Sequence, residues 1–287
     1  MMLSPRWMLV PLMLALAACG GEGEAPATET AETPVESSAE VEASATPAES
    51  SLRDPVAVAG EMLPYGESED ALIRGYFAFP ETMVEPLPAV IVIHEWWGLN
   101  DDIKSAAEQI AAQGFMTLAV DLYDGEVTNN NVRAGELSRD LLESMDAADA
   151  NITAAIGFLT EVAGAPAVAT LGWSQGAQWS VRTAQNNAET VTAAVSYYGQ
   201  PDSDPEALAK LDTPLLAIFA GRDRSIPITD VRAFRESALT LGKPVEVVVE
   251  PDALHGFANP GDARYNESSA ARAFARTIAF LRQHLGA

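Results

Sequence analysis

Gly172-Trp173-Ser174-Gln175-Gly176 is the stretch on which the reading of this chain turns. An apolar run, Pro166 to Leu171, leads into it, and a helix-compatible run, Ala177 to Asn187, follows it. A strand that turns straight into a helix leaves almost no room at the corner. The residue at its apex is forced into a strained backbone conformation, and side chains two positions either side would collide with the turn. Glycine at 172 and 176 answers that constraint. The strain lifts the Ser174 hydroxyl clear of the sheet, and the start of the helix points backbone N–H groups at whatever the hydroxyl attacks. Taken alone, the five residues fit an ordinary strand–turn–helix corner as well as a nucleophile turn.

Working outward, strands and helices alternate. Upstream, Leu72 to Phe79 reads as a strand, with a short strand near Met62 before it. Ala89-Val90-Ile91-Val92-Ile93 is a continuous apolar run of the kind buried on both faces of a parallel sheet. Asp101 to Gln113 reads as a helix with Ile103, Ala106, Ala107 and Ile110 on one face and Gly114 as its stop. Phe115 to Val120 is the next strand, and Glu136 to Val162 one long helical region. Downstream of the serine turn come a strand at Thr192 to Tyr197, a short helix at Asp204 to Lys210 and a strand at Leu215 to Ala220. A helix at Thr229 to Leu241, a strand at Val245 to Glu250 and a last helix from about Tyr265 to Leu285 complete the series. This alternation predicts one α/β domain over residues 54–287: a doubly wound, mostly parallel sheet with helices on both faces and no large lid.

In such sheets the ligand lies beyond the carboxyl ends of the strands, which singles out four loops. The loop after Ile93 is His94-Glu95-Trp96-Trp97-Gly98, and the loop after Leu171 holds Ser174. The loop after Ala220 holds Asp223, and the loop after Glu250 holds Asp252 and His255. Nucleophile, acid and base therefore leave strands at one edge, in the order Ser174, Asp223, His255. Ser174 is the expected nucleophile, His255 the base that takes and returns its proton, and Asp223 the acid that orients His255. On this reading activity rises with pH as His255 titrates. Asp252 is the rival acid, but it sits on the histidine's own loop. His94 is expected to be structural, and His284 to favour the negative end of the last helix. The expected oxyanion donors are the backbone N–H groups of Gln175 and Trp96. Trp96 and Trp97 are candidate pocket walls, with at least one of them expected in the core.

These residues carry a resemblance. Val90 to Asn100, Asp121-Leu122-Tyr123, Gly172 to Gly176, Ser196-Tyr197-Tyr198-Gly199, Gly221-Arg222-Asp223 and His255-Gly256-Phe257 together resemble the dienelactone hydrolase family of α/β-hydrolases. The resemblance implies hydrolysis of an ester or lactone through an acyl-enzyme, with no metal or other cofactor and a small-molecule substrate. It also makes Glu95, Trp97 and Tyr123 candidate substrate-binding or modulating residues. Two departures stand out. The family's best-known members use a cysteine where this chain has Ser174, so Glu95 cannot simply inherit the control of a thiol; it binds substrate, holds the loop or is a structural carboxylate. The carboxylate-binding arginine that family members carry four residues after the histidine is Asn259 here, which argues against a substrate bearing a carboxylate. Two other readings are compatible with the residues: a non-catalytic ligand-binding protein on a hydrolase scaffold, and a peptidase of the same fold.

The first 53 residues have a different texture. Met1 to Ala18 combines Arg6 with a short apolar run, too short for a membrane span, and reads as an export signal. It ends Leu16-Ala17-Ala18-Cys19, and Cys19 is the only cysteine among 287 residues. This resembles a bacterial lipoprotein signal, with Cys19 lipidated after cleavage; the alternative is an ordinary secretory signal cleaved after Ala18. With no aspartate after Cys19, the resemblance implies an outer-membrane destination facing the periplasm. Residues 19–53 are rich in Ala, Glu, Thr, Ser and Pro and read as a flexible acidic linker. A lone cysteine excludes an intrachain disulfide, so stability must come from the core. The net charge of −24 repels phosphates and argues against a nucleic acid partner.

Overall fold

The apolar runs assemble side by side. The computed structural model describes residues 51–68 and 71–287, and one eight-stranded sheet runs through them in the order β1-β2-β4-β3-β5-β6-β7-β8. The strands are β1 (Val58–Glu67), β2 (Leu72–Pro80), β3 (Ala89–Ile93), β4 (Met116–Val120), β5 (Val168–Trp173), β6 (Val191–Tyr197), β7 (Leu215–Ala220) and β8 (Val245–Glu250). From β4 through β8 every pairing is parallel; β2 joins β4 antiparallel, and β1 joins β2 antiparallel. This is the α/β-hydrolase arrangement.

The period-two alternation of each strand sorts side chains into two cores. Ala89, Ile91 and Ile93 face one layer with Leu118, Leu137, Ile152, Trp179 and Phe234. Val90 and Val92 face the other with Ile103, Ile110, Ile278 and Leu281. The helices therefore divide. Helices α1 (Asp101–Ala111) and α7 (Glu267–Leu285) cover one face, and α2 (Asn131–Glu143), α3 (Met145–Gly157), α4 (Gln175–Asn186) and α6 (Ile228–Thr240) the other; α5 (Pro205–Ala209) is short. β3 and β5 lie at the centre, fully buried along their length.

Most element boundaries fall within two residues of the expected ones, and Gly114, at φ +97°, ends the α1 region as expected. Two expectations are corrected. The short strand near Met62 is a ten-residue edge strand, Val58–Glu67, with a register shift between Pro64 and Gly66. The long helical region expected over Glu136 to Val162 is two helices that break at Ser144, followed by a π-helical turn at Phe158–Val162. Ser51 Oγ donates to Ala275 O (3.2 Å), and the Arg53 backbone exchanges hydrogen bonds with the Gln113 side chain (2.9 and 3.1 Å). The expected signal, Cys19 and the linker up to residue 50 lie outside the described residues. Among the described residues, no helix is long and apolar enough to cross a membrane.

Candidate active site

The turn after β5 has the geometry that its two glycines require. Ser174 sits at φ 52°, ψ −113°, a region that side-chain-bearing residues rarely occupy. Its N–H is held by Tyr197 O (2.9 Å), which ties the strained peptide to the neighbouring strand. A Cβ on Gly172 would lie 2.1 Å from Gly176 O, and one on Gly176 would lie 2.3 Å from Ile93 O. Backbone fills both positions, so only glycine fits.

Three strand ends then converge. Ser174 Oγ lies 3.0 Å from His255 Nε2, and His255 Nδ1 lies 2.7 Å from Asp223 Oδ2. The Asp223 side chain is 1% exposed and the His255 side chain 20%. Asp223 Oδ1 accepts from the Ser225 and Ile226 amides (2.8 and 3.1 Å), so the carboxylate is fixed on both oxygens. Burial pushes the Asp223 carboxyl up, but the His255 hydrogen bond and charge, with the two amides, outweigh it and hold it below the usual carboxylate range. Asp252, the rival acid, is exposed and is not His255's partner.

Gln175 is the first residue of α4, and the first N–H groups of a helix have no partner within it. Gln175 follows Ser174 in the same turn and lines the cavity, and the loop after β3 brings Trp96 to the same cavity. The cavity is about 400 Å³ and is lined by Trp96, Ser174, Gln175, Leu142, Met145 and Trp179, among others. Its cation, Arg182, is already bound by Asp149 through two N–H groups (Nε–Oδ1 2.9 Å, Nη2–Oδ2 2.6 Å).

The remaining candidates separate. Trp96 and Trp97 pack ring to ring, centroids 4.7 Å apart, and both are half-buried; neither is a core residue, which corrects the expectation for one of them. Trp97 stands behind Trp96 and does not line the cavity. Tyr123 is buried, and its hydroxyl exchanges hydrogen bonds with the Gln175 side chain (3.1 and 3.3 Å), so it supports the residue after the nucleophile rather than walling the cavity. His94 is structural: Nδ1 donates to Glu95 O (2.6 Å) and Nε2 accepts from Leu122 N (3.1 Å). Burial pushes its pKa down, in keeping with that neutral tautomer. His284 does sit in the last turn of α7, against Phe280, but burial lowers its pKa there. The charged form that the helix end would favour is opposed, contrary to expectation.

Glu95 and Asn259, 164 positions apart, meet: Asn259 Nδ2 donates to Glu95 Oε2 (2.8 Å). Glu95 is 6% exposed, and burial pushes its carboxyl pKa up. Beside it is a residue that the sequence reading quoted in a motif but gave no role. Tyr198 is fully buried at φ 39°, with its ring 5.0 Å from the His255 ring. Tyr198 follows β6, so the same strand-end rule that found the other loops applies to it. Among the described residues, no cluster of three His, Cys, Asp or Glu is arranged to hold a metal.

The comparisons with known proteins agree with this architecture. The model of the "Dienelactone hydrolase family" matches residues 73–285. A curated relative called Protein usf, from Aquifex pyrophilus, is 30% identical over 233 residues, 79% of this chain and 99% of its own. Among solved structures, a dienelactone hydrolase-like promiscuous phosphotriesterase from metagenomic libraries superposes with a TM-score of 0.70 at 20% identity, over 79% of this chain and 99% of that one. A dienelactone hydrolase from Anabaena variabilis does so with a TM-score of 0.60 at 21% identity, over 81% and 99%. At these identities the structures speak for the fold alone.

Proposed function

Because the chain belongs to the dienelactone hydrolase family, we propose that it is a serine hydrolase of carboxylic esters or lactones. One observation carries the reading: an unbroken relay from Ser174 Oγ through His255 to a buried, doubly anchored Asp223, with the serine on a strained turn. His255 Nε2 takes the Ser174 proton as Oγ attacks the acyl carbon. The oxyanion that forms is met by the N–H groups of Gln175 and Trp96, each donor typically worth about 10²–10³ in rate. The imidazolium then gives its proton to the departing alkoxide, which leaves an acyl group on Ser174. Water, deprotonated by His255, releases the acid and restores the serine. Asp223 holds the tautomer that makes each transfer possible.

Uncharged acyl groups suit this site best. Asn259 stands where the family's carboxylate-binding arginine would be and is engaged by Glu95, and Arg182 is neutralised by Asp149. A panel of p-nitrophenyl esters and small lactones, with fluorophosphonate labelling of Ser174, tests the reading. Turnover of at least one uncharged ester and a label that disappears in Ser174→Ala are expected; a protein that binds esters without turnover or labelling is a binding module instead. For the segment ahead of the domain, we infer export and lipid attachment at Cys19, with an outer-membrane destination. Incorporation of labelled fatty acid that is lost in Cys19→Ala checks the attachment, and an unlabelled wild-type chain overturns it.

A further inference from the structure

The family relation directs attention to Glu95, but its surroundings give it a different character. It is 6% exposed, close enough to His255 to feel its charge, and makes one hydrogen bond of normal geometry, from the neutral Asn259 amide. A buried carboxylate is ordinarily held by two or three donors or by a cation. Arg264, an arginine that acts on Glu95, is already committed: its Nε donates to Asp262 Oδ1 (2.8 Å), and the two form a fork. Every other group facing Glu95 can be named. His94, on the same loop, has both ring nitrogens occupied by backbone. Asp262, from the loop after β8, adds negative charge. Tyr198, from the end of β6, places a buried hydroxyl beside the carboxyl, yet that hydroxyl makes no hydrogen bond of normal geometry. His255 is the group on which a charge at 95 would act.

We propose that Glu95 is kept as a neutral acid in the working protein, so that it adds no further negative charge to those of Asp223 and Asp262 on His255 and the imidazole stays free to accept the Ser174 proton. A carboxylate at 95 would be a further negative charge acting on the ring and would stabilise its protonated form, which cannot serve as the base. Asn259 fits this role: an amide there holds the acid in place without drawing out its proton, as a cation would. Glu95 is thus a positioning residue that acts through its lack of charge, and Tyr198 neighbours both it and His255. The proposal rests on the reading of Ser174 and His255 as the reacting pair, but its first test does not.

Infrared difference spectra of the full chain at pH 7 should show the C=O stretch of a buried protonated carboxyl, and Glu95→Gln should remove it. A wild-type spectrum without that band overturns the proposal whether or not the protein is a hydrolase. If Glu95→Gln does not fold, Asn259→Arg supplies the check: a cation beside Glu95 should abolish the band, and a band that persists counts against the assignment. For activity, the acid limb of the pH–rate profile of Glu95→Gln should coincide with that of wild type to within about half a pH unit. A downward shift of about one unit or more would mean that position 95 carries charge in the wild-type protein, because a neighbouring charge moves a titration by that much.

Discussion

The carbonyl oxygen of Ile93 occupies the place where a side chain on Gly176 would begin. A Cβ there would be 2.3 Å from that oxygen and 2.5 Å from His94 O, and both belong to backbone that cannot rotate away. Helix α4 and the end of β3 are thereby locked at contact distance, which sets Ser174 opposite the loop bearing Trp96. Gly176→Ala must push the helix off the sheet. We expect a loss of about 3 kcal/mol or more, seen as a fall in Tm of roughly 6–12 °C, with turnover lost alongside. A variant of wild-type stability would show that the turn has slack.

Ser174 holds a conformation in which a side chain is strained. Ser174→Ala should cut turnover by roughly 10⁴-fold or more while leaving Tm nearly unchanged, because the Cβ and its strain remain. Ser174→Gly should be equally inactive yet more stable, by about 1 kcal/mol or 2–4 °C, since relief of strain exceeds the added freedom of the unfolded chain. Thermal melts of the two variants side by side measure the strain directly. Equal melting temperatures would mean that none is stored.

Asp223 and Asp252 make opposite predictions. Asp223→Asn leaves the shape of the site intact but offers His255 the wrong hydrogen-bonding partner, so kcat should fall by about 10³–10⁴-fold. Asp252→Asn alters an exposed carboxylate outside the relay and should change kcat by less than about threefold. Comparable losses in the two would reinstate Asp252 as the orienting acid.

His94 links stability to pH. Burial depresses its pKa in the folded chain, so the unfolded chain binds its proton more readily as acidity rises. The stability conferred by the neutral ring is complete above the unfolded value of about 6.5 and is lost as pH falls below it, by up to about 1.4 kcal/mol per pH unit until the folded ring itself titrates. His94→Gln lacks that titration. Urea melts at pH 7.5 and pH 5 should show the wild-type advantage shrinking in acid, and a constant gap would mean that burial leaves the ring's titration unchanged on folding.

Where the sequence was readable, local sterics or strict patterning made it so. The glycines at 172 and 176 leave one solution for the turn, and runs such as Ala89 to Ile93 have nowhere to go but the middle of a parallel sheet. The edge was harder. β1 pairs on one side only and leaves half its residues to solvent, so Glu61, Pro64 and Gly66 blur the alternation that marks a strand. The break at Ser144 was hidden because apolar spacing continues across it from Leu141 to Ile152. The contact of Glu95 with Asn259 and the placing of Tyr198 over His255 depend on loops from three different strands. No local pattern encodes such a meeting; it follows from the strand order.

The first described residues have a mechanical consequence. Ser51 and Arg53 are fastened to α7 and to Gln113, just ahead of the start of β4, whereas Ser174, Asp223 and His255 lie at the strands' other ends. Traction applied from upstream of Ser51 would be taken up by that helix and the sheet's far margin. The leading segment is thus fastened at the ends of the strands opposite to the cavity, with α7 as the element that joins its footing to the loop bearing His255.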